Sequence, residues 1–312
     1  MSKITIALGG NSIHTGKADA RTQQLAIRET VRHLLPLLLE GNQVVITHGN
    51  GPQVGQLMLQ QKAADGPLTP ALPLNTCVAM TQGMIGFWIQ HEFSRLLSNS
   101  KCGAEAVTLV TQVEVDDQDP AFHNPSKPIG PFYTREEAQN LETENPGYKF
   151  ISDAGRGFRR VVPSPRPVSI LEIHAIITLL EKGHLVITAG GGGVPVSRGV
   201  NGLVPVEAVI DKDFASAKLA RLIGADMLII LTAVDNVYIH YGTPRQKKLE
   251  AITVEQAESY IEEGHFGVGS MLPKVIACCD FVRNNPGKRA VISSLHNIGQ
   301  VLDGSGGTVI YM

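Results

Sequence analysis

Three lysines stand where their local sequence gives them little structural reason to be. Lys212 lies between two acids in Val209-Ile-Asp211-Lys212-Asp213-Phe214-Ala-Ser216, a segment that opens a helical run. Acids at a helix start cap free N–H groups and suit the macrodipole, whereas a cation there is disfavoured. Capping therefore explains Asp211 or Asp213 alone, but not the lysine between them. Lys274 closes Gly267-Val-Gly269-Ser270-Met271-Leu-Pro273-Lys274 and again falls in a first turn, with proline at a position suited to a helix start. Lys127 stands in Asn124-Pro-Ser-Lys127-Pro-Ile-Gly130, stiffened by prolines on both sides. Lysines so placed can neutralise a transferring phosphoryl group, with Asp213 orienting that group and a metal-bound substrate. An ordinary exposed lysine is the plain alternative for Lys127 and Lys274.

Glycines accompany them. The clusters Gly9-Gly10-Asn11, Gly49-Asn50-Gly51 and Gly190 to Gly193 each follow a short apolar run that reads as a strand. Glycine at a strand end lets the backbone approach a ligand and aim N–H groups at an anion. Strand-to-helix turns use glycine anyway, so the weight lies in finding such clusters at three strand ends. Two standard nucleotide motifs are excluded. Gly10 to Lys17 has five residues between its glycines where a P-loop has four, and Ala18 replaces the magnesium-binding Ser/Thr. In Gly49-x-Gly51-x-x-x-Gly55 the third glycine comes one place late for a dinucleotide fingerprint. The histidines lack metal-site spacing, and no Gly-x-Ser-x-Gly elbow supports a serine hydrolase. Arg159, Arg160 and Arg166 read equally as anion contacts or scaffold ion pairs.

The elements that must position these groups alternate. Strands are predicted at Ile4–Leu8, Gln43–Thr47, Ala106–Val115, Leu185–Ala189, Met227–Thr232, Arg289–Ser294 and Thr308–Tyr311. Helical periodicity is predicted over Thr22–Leu39, Cys77–Leu97, Glu172–Glu181, Asp213–Ile223, Val254–Glu263 and Pro273–Asn284. Strands separated by helix-length segments imply an α/β fold with a mainly parallel sheet covered on both faces. Asp116 to Arg166 breaks the rhythm with Asp, Asn, Pro, Gly and charge. So long an irregular insert implies a lid or small subdomain, here with a hairpin or helix near Thr134 to Asn145.

Bulk properties narrow the function classes. The chain has 312 residues, 27 Lys plus Arg against 29 Asp plus Glu, and 43% hydrophobic content. That composition excludes disorder, and the near-neutral charge argues against a nucleic-acid partner. Residues 1 to 10 do not read as a signal peptide, and no apolar window is long enough for a membrane span. Cys77, Cys102, Cys278 and Cys279 form no C-x-x-C pair, which suits a reducing, cytoplasmic setting.

Taken in order, Ala7 to Asn11, His48 to Gly55, Thr111 to Val115, Asn124 to Pro131, Asp153 to Pro167, Gly190 to Val196, Ala208 to Ala215 and Gly269 to Lys274 resemble the carbamate kinases over nearly the whole chain. The resemblance implies the amino-acid-kinase fold, a three-layer αβα sandwich with a central, mostly parallel sheet and a small protruding subdomain. It implies a single domain: an acceptor side over about 1–205, bearing the excursion at about 116–166, and a nucleotide side over about 206–312. It also implies reversible, Mg²⁺-dependent transfer between carbamoyl phosphate and ADP, giving ATP and carbamate, by a cytoplasmic homodimer. By the same similarity, Gly9, Gly10, Asn11, Gly49, Asn50 and Gly51 embrace the acceptor and phosphoryl group. Lys212, Asp213 and Lys274 meet the phosphates, and Lys127 leans in from the subdomain. Asp211, Thr232, Ala233, Val234, Asp235, Gly269, Ser270 and Met271 line the nucleotide pocket, and no residue is assigned as a direct metal ligand. Many kinases of this fold carry a lysine before the first glycine pair; here that place is Ala7-Leu8, and Lys127 supplies the lost charge. Ser12 and Asn75 depart from the residues usual in the family. The alternatives are a kinase of the same fold acting on another small carboxylate or phosphate acceptor, or a non-catalytic regulator that binds nucleotide or carbamoyl phosphate.

Overall fold

Alternate residues of the central strands feed two different cores. In Lys3–Leu8 the side chains of Ile4, Ile6 and Leu8 enter one apolar cluster, while Ala7 enters the other. Gln43–His48 and Met227–Thr232 divide in the same way, with Val44 and Ile46 opposite Val45, and Ile229 opposite Ile230. A period of two with both faces apolar is what a sheet buried on both sides requires. The computed structural model describes residues 1–10, 13, 19–98, 100–152, 157–200 and 202–312.

Eight strands form the main sheet, in the order Ala251–Thr253, Thr308–Tyr311, Arg289–Ser294, Met227–Thr232, Lys3–Leu8, Gln43–His48, Leu185–Ile187 and Ala106–Thr108. Pairing is parallel except between Arg289–Ser294 and Thr308–Tyr311. Helices Ala20–Leu39 and Leu74–Leu97 cover one face through Ile27, Val31, Ile85 and Phe93. Helices Ile173–Glu181, Lys212–Leu222 and Leu272–Arg283 cover the other, through Ile176, Leu219 and Phe281 among others. The fold is therefore a three-layer αβα sandwich.

The insert is a small sheet of its own. Lys127–Tyr133, Phe158–Val162 and Lys149–Ser152 pair antiparallel, with the central place held by Phe158–Val162. Helix Arg135–Glu144 packs beside them and starts with a reciprocal capping box between Thr134 and Glu137. Ile129 and Val162 of this subdomain join Val54, Cys77 and Val209 of the body in a third apolar cluster.

Some predicted elements differ from the observed ones. Ala106–Val115 is two strands: Ala106–Thr108 ends the main sheet, and Gln112–Val115 joins a second sheet with Gly202–Pro205, Val194–Gly199 and Pro167–Ile170. The run is apolar enough for one strand, but Thr111 turns inward between the two. Its N–H donates to Gln82 Oε1 and its hydroxyl pairs with Thr188. Helix Gly51–Ala64 has no clear sequence signature, because glycines and glutamines dilute its apolar face. Leu185–Ile187 stops before Ala189, whose φ of 49° ends the strand.

Candidate active site

The parallel strands Lys3–Leu8 and Gln43–His48 end side by side at a cleft of about 350 Å³. This is where open α/β sheets bind ligands, beyond the carboxyl ends of their strands. Gly10 and Gly49 to Gly51 form one wall, at the strand ends. Asp211 to Asp213, at the start of helix Lys212–Leu222, form another. Gly269, Ser270 and Lys274 come from the loop and first turn of helix Leu272–Arg283, and Lys127 reaches in from the small sheet. The structure thus brings together five charged groups, Lys127, Asp211, Lys212, Asp213 and Lys274, from segments far apart in the chain.

These charges form a trio and a pair. Asp213 is almost wholly buried and receives Lys212 Nζ at 2.5 Å on Oδ1 and Lys274 Nζ at 2.8 Å on Oδ2. Burial alone would raise its pKa, but the two ammonium groups prevail and hold the carboxyl down at about 2. Lys212 is pushed below the usual lysine range by burial, with Asp213 opposing and Lys274 reinforcing that shift. Lys127 Nζ meets Asp211 Oδ2 at 2.6 Å, while Asp211 Oδ1 caps the helix by accepting from the Asp213 N–H at 2.9 Å. Asp211 therefore caps the helix, as its position in the sequence suggests, and also holds a lysine over the cleft. Two lysines on one carboxylate leave an excess positive charge beside helix N-termini, an arrangement that suits a phosphate.

Glycine provides the space. A Cβ at position 49 would lie 3.4 Å from Lys212 Cδ, so the lysine stem runs across a residue with no side chain. Gly190 to Gly193 serve as a hub. Added Cβ atoms there would lie 2.4 Å from the His48 ring, 2.2 Å from the Asn50 amide, 2.2 Å from Ile210 O and 2.3 Å from Val113. Gly191 also belongs to the cleft wall. His48 is buried, with Nδ1 2.9 Å from Gly49 O; its pKa is pushed down to about 4 by burial, with Lys212 adding to the fall against that hydrogen bond. It is a neutral ring that fixes the strand end. Asn50 donates to Thr81 Oγ1 at 2.9 Å, which locks its side chain against the hub.

Other predicted residues lie elsewhere. Asn11 falls outside the described residues. Gly9 is buried off the cleft wall, where a Cβ would meet Leu231 O at 2.4 Å, so its place is explained by close strand packing. Thr232 to Asp235 leave the end of the central strand outside the cleft wall, and Asp235 accepts from Ser293 and Ser294 of the neighbouring strand. Met271 stands at the N-cap of its helix and packs against the core. Gln53, Ile210 and Pro273 also line the cleft, although the sequence assigns them no role of their own. The glycine run at 190–193 was visible in the sequence, but the elements that it admits were not.

Comparison with known proteins gives the same answer. The Amino acid kinase family matches residues 2–293. A "Carbamate kinase" of Latilactobacillus sakei is 52% identical over 308 residues, covering 99% of this chain and 98% of that protein. The chain belongs to the carbamate kinases of the amino acid kinase family. Members of this family are phosphotransferases, and so is this chain. "Carbamate kinase 2" of a Staphylococcus aureus strain is 50% identical over 310 residues, covering 99% of both chains. Among solved structures, carbamate kinase from Giardia lamblia bound to AMP-PNP superposes with a TM-score of 0.93. That pair shares 42% identity, over 99% of this chain and 98% of that one.

Proposed function

We propose that the protein makes ATP and carbamate from carbamoyl phosphate and ADP, reversibly, with Asp213 and its two lysines as the electrostatic centre. The observation that carries this is the buried Asp213 carboxylate shared by Lys212 and Lys274, open to a glycine-walled cleft with Lys127 above it. The acceptor lies over Gly10 and Gly49 to Gly51, on the side of residues 1–205. The nucleotide lies over Asp211, Gly269 and Ser270, on the side of residues 206–312. Thr232 to Asp235 and Met271 belong to its outer wall. An ADP oxygen attacks phosphorus while carbamate leaves as an anion, so no general base is needed. In-line positioning by the glycine backbone and charge neutralisation by the lysines carry the catalysis. Lys212 and Lys274 exchange part of their contact with Asp213 for the phosphoryl oxygens, at little reorganisation cost because both are already aimed into the cleft.

A hard divalent ion takes oxygen ligands and is commonly held by one or two carboxylates together with substrate phosphates. Asp211 and Asp213 are the carboxylates at the cleft, and among the described residues no trio of His, Cys, Asp or Glu could hold a metal alone. That donor set fits Mg²⁺ arriving on the nucleotide, where it would neutralise phosphate charge. Fermentative breakdown of arginine or a related carbamoyl source supplies such a substrate. A cytoplasmic setting is supported by four unpaired cysteines, and no helix among the described residues is long and apolar enough to cross a membrane. The homodimer is part of the same proposal.

The experiment is ATP formation by the purified protein from ADP, Mg²⁺ and carbamoyl phosphate. The readout must be ATP, because the substrate also decomposes spontaneously. ATP above a no-enzyme control supports the proposal. No ATP from folded protein, together with phosphorylation of another carboxylate or phosphate acceptor, would transfer the site to a different substrate.

A further inference from the structure

The two helices that carry the cleft lysines also enclose a second cavity, of about 250 Å³, that shares no residue with the first. Helix Lys212–Leu222 turns Phe214, Lys218 and Arg221 toward it, at helical spacings of four and three. Helix Leu272–Arg283 contributes Asp280, its C-cap Asn284 closes the end, and Arg166 enters from the segment that follows the small sheet.

The charges here do not balance. Arg166, Lys218 and Arg221 face one carboxylate, Asp280, which leaves an excess of two positive charges in a chain whose net charge is −2. The Arg166 guanidinium lies 3.5 Å from the Phe214 ring centre and 3.2 Å from Asp280 Oδ2, so its plane is fixed. Arg221 reaches a neutral partner, Asn284 Oδ1, at 3.4 Å. Lys218 is partly buried and has no ion-pair partner within 4.0 Å among the described residues. Burial and the charge of Arg221 lower its pKa, and Asp280 opposes this only in part. A partly buried ammonium without an ion-pair partner among the described residues, flanked by two exposed guanidinium groups, is an arrangement that suits an anion.

We propose that this groove is a second anion site that takes a small phosphate-bearing ligand, with Lys218 and Arg221 as its main donors and Arg166 closing the third side. A phosphate dianion matches the excess charge, and its oxygens suit a guanidinium fork beside an ammonium. The cavity is smaller than the pockets of about 300–1,000 Å³ that hold drug-sized ligands, so the ligand is phosphate itself or a short monoester. The inference does not depend on which acceptor the cleft phosphorylates.

The test is a titration of the full-length protein with inorganic phosphate, phenyl phosphate and succinate, followed by the backbone amide resonances of Lys218, Arg221 and Asn284. Saturable shifts with either phosphate are expected in the wild type and equally in Lys274→Ala, which removes a cleft lysine and leaves every groove residue in place. The double variant Lys218→Gln/Arg221→Gln should bind at least about tenfold more weakly, the scale of losing a charge-assisted hydrogen bond. Three outcomes would each overturn the proposal: no saturable shift in the wild type, unchanged affinity in the double variant, or tighter binding of succinate than of phosphate. The wild-type titration decides the matter even if the double variant does not fold.

Discussion

Lys212 and Asp213 show how one residue's environment fixes the task of another. Asp213 is held ionised by two lysines; in return it favours the charged form of Lys212, against which burial works, and it holds both lysines aimed. Removing Lys212 takes away one preorganised cation, so Lys212→Ala should lower kcat by roughly 10²-fold or more. ATP formation measures this, with circular dichroism confirming the fold; near-normal turnover would exclude the assigned role. His48 carries a prediction about pH. Its folded pKa of about 4 lies below the ordinary 6.5, so between those values the unfolded chain binds a proton that the native ring refuses. Stability therefore rises with pH across that window, is complete above 6.5 and declines as acid approaches 4, by roughly 3 kcal/mol in all. Urea denaturation at a series of pH values, beside an NMR titration of His48, checks both the slope and the midpoint. A midpoint in the ordinary histidine range would reject the buried neutral ring.

At the scale of elements, the Gly190–Gly193 turn joins the halves of the cleft. Gly192 has φ of 92°, and a Cβ there would approach Ile210 O to 2.2 Å, one residue before Asp211. Gly192→Ala should therefore destabilise the protein by more than about 1 kcal/mol, read as a lower urea midpoint with an unchanged slope. Because the clash falls on the backbone that leads into Asp211 and Lys212, turnover should fall as well. The small sheet is the other decisive element. Lys127 is its charged contribution to the cleft, tethered to Asp211 on the body. Lys127→Ala should reduce kcat more than it weakens nucleotide affinity, which steady-state kinetics and ADP calorimetry separate. Selective loss of ADP binding with kcat intact would assign Lys127 to the nucleotide instead.

At the scale of the whole molecule, the long helix Leu74–Leu97 buries one side in the core but leaves Phe87 59% and Met80 41% exposed. Large apolar side chains left uncovered on a helix flanking the sheet are the surface that the proposed homodimer would bury. Sedimentation equilibrium should then return about twice the 33.5 kDa chain mass. A persistent monomer at the concentrations used for assay would remove the dimer from the proposal.

Much of this was legible in the residues themselves. Strands such as Met227–Thr232 and Arg289–Ser294 were readable because apolar runs of that length, bounded by polar turns, satisfy a sheet covered on both faces. Lys212 and Lys274 stood out because a cation at a helix start contradicts local electrostatics, and such a contradiction calls for a ligand. The α/β class and the existence of an insert followed from periodicity and its interruption. Pairing could not be read in this way. That Asp213 takes both lysines while Asp211 takes Lys127 depends on where the two helices and the small sheet meet, across separations of up to 84 residues. Gly9 shows the same limit from the other side, since close packing against Leu231 explains its place without a ligand. Local sequence sets backbone preference and charge, so it determined the elements and the chemistry available to them. Only the tertiary structure decided which charges share a low-dielectric cleft, because desolvation and Coulomb attraction act through space and not along the chain.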